Sequence, residues 1–246
     1  MSYKEARRVH TSVLAETEKR ALVWMAARLP GWVNSDHLTV LAGLAMAGAG
    51  LCYWAGTPAA LLGAILFLAV NWFGDSLDGT LARVRHHERP RYGFYVDHVL
   101  DVIGILLLVA GLVLGGHVSG AAGAAFLLAY YLLMIEIALA THAVGTFRIS
   151  YWKFGPTELR ILLAIGTLQL LRSDFVTIAG HRMLLFDLGT AVGAAAVVVT
   201  FISSVVSNTR ALYRAEPLPG ARPRTQEPAG GTPPRVAPRL CDRLCP

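Results

Sequence analysis

The chain has 246 residues, of which 54% are hydrophobic and only 15% charged, with a formal net charge of +6. That composition is too apolar for an ordinary soluble domain, and nothing in it points to nucleic acid as a partner. It calls instead for an integral membrane protein, because apolar runs near the roughly 20 residues that cross a bilayer recur along most of the chain.

Residues 1–33 form the first unit. Charge is scattered through them, and they lack the single apolar core and small-residue cleavage site of a signal peptide, so the segment is expected to stay in the mature protein. Val13, Leu14, Leu22, Val23, Met25 and Leu29 alternate at helical spacing with Glu16, Lys19, Arg20 and Arg28. The pattern predicts an interfacial amphipathic helix on the membrane surface, or else an ordinary solvated one.

Residues 34–210 read as one all-α membrane domain of six transmembrane helices: Leu38–Ala55, Ala59–Leu81, Tyr92–Leu114, Gly120–Thr141, Thr157–Leu171 and Met183–Val206. The fifth is the weakest, being short and opening with Glu158 and Arg160. Connections "RVRHHERPR" and "FRISYWKFGPTELR" are strongly basic, whereas "GTP" and "GGHVS" carry no lysine or arginine. The positive-inside rule therefore puts both termini and the basic loops in the cytoplasm, outvoting Arg172 and Arg182. Residues 211–246 turn rich in proline and arginine and predict a disordered cytoplasmic tail. Cys52, Cys241 and Cys245 match neither a zinc site nor a disulfide framework.

Four aspartates stand where charge is costly. Asp75 and Asp78 are three apart at the cytoplasmic end of the second span, with Gly79 and Ala82 following. Asp97 and Asp101 are four apart on the third, flanked by Gly93 and Gly104. A short loop makes the two spans antiparallel neighbours, so the acidic stripes can face each other. Arg83 and Arg85 do not neutralise four acids in a partly desolvated cleft. Hard divalent cations, which prefer oxygen ligands, would. The plainer alternative is a rim of interfacial acids paired with the basic loop.

The spacing Asp75-x2-Asp78-Gly79-x2-Ala82-Arg83-x9-Gly93-x3-Asp97-x3-Asp101 resembles the signature of the CDP-alcohol phosphatidyltransferase family, and the likeness extends over roughly residues 30–210. The resemblance implies a transferase that moves a substituted phosphate from a CDP-linked donor to an alcohol or lipid acceptor in the membrane, releasing CMP. It further implies two magnesium or manganese ions, one held by Asp75, Asp78 and Asp97 and the other by Asp75, Asp97 and Asp101. Asp101 would also be the general base. Gly79 and Ala82, with Gly93 opposite, would leave room for the nucleotide, and Arg83 would contact its phosphates. Asn34, Ser35, Asp36 and His37 lie where relatives contact the nucleotide, although polar residues there also simply cap a helix.

Acceptor candidates are Glu136 and His142 on the fourth span and Lys153, Glu158 and Arg160 around the start of the fifth. Glu136 should face the bundle interior, serving the site or pairing with Tyr130 or Tyr131. Relatives that take phosphorylated alcohols carry basic residues at the end of span four and the start of span five, and here span four ends with no lysine or arginine before Arg148. A neutral or amine-bearing acceptor is therefore expected, with Lys153 or Arg160 serving mainly the cytoplasmic rim; the alternative is that Arg160 turns inward from the start of span five and supplies the missing charge. A homodimer is compatible with the sequence. The rival readings are an intramembrane prenyltransferase, whose two acidic motifs would lie further apart, and a divalent-cation transporter, which would need acids near the bilayer midplane.

Overall fold

The structure is a computed structural model that describes residues 15–144, 156–178 and 180–216. Lys153 and the tail beyond Glu216 lie outside the described residues. Helix α1 (Ala15–Arg28) precedes α2 (Ser35–Ala55), α3 (Pro58–Val84), α4 (Pro90–Leu114), α5 (Gly120–Val144) and α6 (Pro156–Leu170). A hairpin of β1 (Phe175–Ile178) and β2 (His181–Leu184) then leads into α7 (Leu185–Ala215).

Local chemistry sets several of these boundaries. Asn34 opens α2 with a reciprocal capping box to His37, and Gly56, at φ 63°, closes it in the left-handed conformation. Thr57 caps α3 and Pro58 follows at its first turn. Helices α2 to α5 and α7 are each long and apolar enough to cross a membrane. The remaining expected span differs: α6 has 15 residues, about 22 Å of helix against a hydrocarbon core of about 30 Å.

The hairpin is a second departure from the expected all-helical domain. Phe175 pairs with Leu184 and Ile178 with His181, and Gly180 supplies the turn at φ 82°. The sixth expected span consequently begins at Leu185 and runs on to Ala215 rather than ending at Val206.

Exposed leucines, isoleucines and valines such as Leu44, Leu66, Leu128, Leu139, Ile165 and Ile202 cover the outside of the bundle, as lipid contact requires. Inside, small residues let α2, α3 and α4 approach closely. A Cβ at Gly74 would come within 3.0 Å of the Ala42 Cβ, and one at Gly111 would overlap the Gly50 carbonyl and stand 2.7 Å from the Gly50 Cα. The core at this end includes Tyr53, Leu108 and Leu112, and the Tyr53 hydroxyl meets Thr167 Oγ1 at 2.6 Å. Because backbone cannot yield, Gly111→Ala should cost about 1–3 kcal/mol, read as a lower melting temperature in detergent. Gly189→Ala, where a Cβ meets nothing within 4 Å, is the matched control.

Helix α1 docks on the other end. Leu22 and Ala26 are buried against Leu38, Leu77 and Leu81, while Trp24 and Val23 remain exposed. Arg85 fastens the segment after α1, donating to the carbonyls of Val33, Leu29 at 2.9 Å and Pro30 at 3.0 Å. The helix is amphipathic as expected, but its apolar stripe faces the bundle.

Candidate active site

The acidic residues gather where the start of α2, the end of α3 and the start of α4 and α6 converge. Asp75 and Asp97 are half-buried and Asp101 exposed, and each offers a carboxylate oxygen such that the three lie within 4.8 Å of one another. Hard oxygen donors at that density suit magnesium or manganese rather than a softer metal. The donor set thus fits the divalent cations that the motif implies.

Asp78 stands differently from expectation. It is not one of the three clustered carboxylates; its Oδ2 accepts from Thr39 Oγ1 at 2.7 Å and its Oδ1 from the Gly79 N–H. Ser35 Oγ donates to the Asp78 carbonyl at 3.1 Å. The start of α2 thus competes for the face of α3 that the three-residue spacing assigned to a ligand.

Arg160 requires a correction. Expected mainly at the rim, with an inward turn as the alternative, it takes the alternative: Nη2 donates to Asp75 Oδ2 at 2.7 Å and Nε to Asn71 Oδ1 at 2.8 Å. Asn71 is buried and donates in turn to the Ala42 carbonyl at 3.0 Å. The physical reason is that α6 packs on α3, where the cluster is the strongest anionic partner within reach of a guanidinium. Asn71 could have been found as a polar residue one turn before Asp75 in an otherwise apolar span.

Asn34, Ser35, Asp36 and Ala82, all candidate donor contacts, line a cavity of about 440 Å³ together with Leu81, Arg85, His87, Glu88 and Arg89. That size lies within the range of about 300–1,000 Å³ usual for small-ligand pockets. Asn34 and His37 are also engaged in the α2 cap, and Asp36 pairs with Arg89. Gly93 is exposed, with open space where a Cβ would be. Arg83 is exposed and its Nη2 reaches Thr80 Oγ1 at 3.2 Å.

Glu136 is buried, as expected of an intramembrane acid, but its partners are on α7. Ser204 Oγ donates to Oε2 at 2.7 Å and Asn208 Nδ2 to Oε1 at 2.8 Å. Tyr131, one of the two anticipated partners, instead donates to the Val102 carbonyl at 3.1 Å. Both Glu136 oxygens thereby accept across the α5–α7 contact. The signal for this was Ser204 and Asn208, four apart on one helix face. His142 is exposed at the end of α5, and Glu158 is half-buried in the first turn of α6.

These features define a helical membrane protein with an acidic site at one end of its bundle. A family model described as CDP-alcohol phosphatidyltransferase matches residues 32–205. The chain belongs to that family, whose members are transferases carrying out phosphatidyl transfer from CDP-alcohols. A search of curated proteins finds no match.

Proposed function

We propose that this chain transfers a substituted phosphate group from a CDP-linked donor to an alcohol acceptor, releasing CMP, at the cytoplasmic end of the bundle. The observation that carries the reading is the meeting of Asp75, Asp97 and Asp101 within 4.8 Å at the end of the bundle that also holds the cavity beside Asn34, Ser35 and Ala82. Asp75, Asp97 and Asp101, with Asp78 alongside, would hold magnesium or manganese, which supply charge stabilisation for the diphosphate and the departing phosphate. The α2 cap and Ala82 bound the nucleotide, and Arg83 offers a charged fork to its phosphates. Asp101 takes the proton from the acceptor hydroxyl as the new oxygen–phosphorus bond forms and the bond to CMP breaks, the electron pair leaving with CMP.

The acceptor is a neutral or amine-bearing alcohol on this reading, because the end of α5 supplies neither lysine nor arginine and Arg160 is already bonded to Asp75 and Asn71. The inward position of Arg160 favours a second reading, in which cations relieve Asp75 and the guanidinium receives an acceptor phosphate. Competition decides between them: glycerol 3-phosphate and inositol phosphate against serine, ethanolamine, inositol and diacylglycerol, with CDP-diacylglycerol or a CDP-alcohol as donor, following CMP. Preference for a phosphorylated alcohol that drops at least about tenfold on Arg160→Ala would establish the second reading. No CMP from any pairing would favour the transporter alternative.

A further inference from the structure

Glu18 takes no part in the roles assigned so far. It lies on the α1 stripe that continues through Leu22 and Ala26 into the bundle, so an acid points where apolar side chains are buried. Its Oε1 accepts from Trp72 Nε1 at 2.8 Å and from Ser76 Oγ at 3.5 Å, both on α3, and from Thr157 Oγ1 at 2.9 Å on α6. Ser76 follows Asp75 directly, and Thr157 sits one turn before Arg160. One carboxylate oxygen therefore joins the two helices at the places adjoining the two halves of the Asp75–Arg160 pair.

We propose that Glu18 is a positioning residue: through Thr157 it fixes the rotation of α6 that delivers Arg160 to Asp75, and so sets the balance between cation and donor affinity at the acidic cluster. The inference rests on the transfer reaction proposed above. A guanidinium beside the carboxylates repels an incoming dication, and the same charge attracts the donor diphosphate once the cations are in place. Arg160 thus moves two affinities in opposite directions. A hydrogen bond that merely oriented Asp75 would act the other way on the metal, since losing such outer contacts weakens metal binding. The charge acts on every cation in the cluster, whereas the hydrogen bond orients one ligand of three, so the charge effect prevails.

The test is binding rather than turnover, on purified full-length protein in detergent. Free Mn2+ is followed by its paramagnetic resonance, and CDP binding is measured at saturating Mn2+. Arg160→Gln should tighten Mn2+ and weaken CDP, each by about tenfold. Glu18→Leu should shift both in the same directions by about threefold. Glu18→Gln, which keeps the accepting oxygen, should stay with the wild type, as should Lys19→Ala on the exposed side of α1. If Glu18→Leu fails to fold, Thr157→Val removes the same bond from the α6 side and should give the same pair of shifts. Weakening of both ligands, or no shift in either when Arg160→Gln shifts both, would overturn the role of Glu18 while leaving the proposed function standing. Wild-type protein that binds neither Mn2+ nor CDP would overturn both.

Discussion

Asp75→Asn should abolish transfer and metal-dependent nucleotide binding together, with activity down by at least about 10³-fold. Asp75 both belongs to the clustered triad and accepts from Arg160 Nη2 at 2.7 Å. The amide keeps an oxygen for Arg160 but removes the charge that a dication needs. Asp101→Asn should separate the two effects. It retains volume and one oxygen, so nucleotide binding persists, but it cannot take the acceptor proton and transfer is lost. Equal nucleotide affinity in the two variants would contradict this division, and circular dichroism of each variant guards against reading unfolding as chemistry.

Chelation should stop turnover completely, and magnesium or manganese, but not sodium or potassium, should restore it. Three carboxylates within 4.8 Å of one another concentrate negative charge, and a monovalent ion neither matches that charge nor bridges the oxygens. The measurement is CMP release after excess EDTA followed by back-titration with each ion. Full turnover in EDTA would end the two-metal reading.

The sequence carried the bundle and the acidic face because both depend on short-range spacing. Apolar runs set the helices, and intervals of three and four residues aligned Asp75 with Asp78 and Asp97 with Asp101. What it did not carry depends on contacts between distant segments. An inward Arg160 was legible only as the alternative to a place at the rim, because the rotation of α6 is fixed by packing on α3 and no local pattern encodes it. Glu136 was legible as buried, but its choice of Ser204 and Asn208 over the nearby tyrosines required the α5–α7 register. Glu18 did not stand out among the charges of the first helix, yet its place in line with Leu22 and Ala26 held the clue. The hairpin at Phe175–Leu184 escaped because most of it lies in the connection between the last two expected spans, and only Met183 and Leu184 joined the apolar pattern of the last one.

Helix α4 is gripped unevenly: each of its buried residues lies between Gly104 and Leu112, and Gly93 near its start has open space around it. On the proposed reading this asymmetry decides how a two-tailed lipid and a water-soluble molecule can share one site. The backbones of α2 and α4 touch at Gly50 and Gly111, so on that reading the acyl chains stay in the bilayer and the headgroup enters from the side, past the start of α4 where Gly93 has open space. The polar co-substrate comes from the aqueous side of the same opening. Neither has to cross the membrane, and a product lipid returns to the leaflet from which its precursor came.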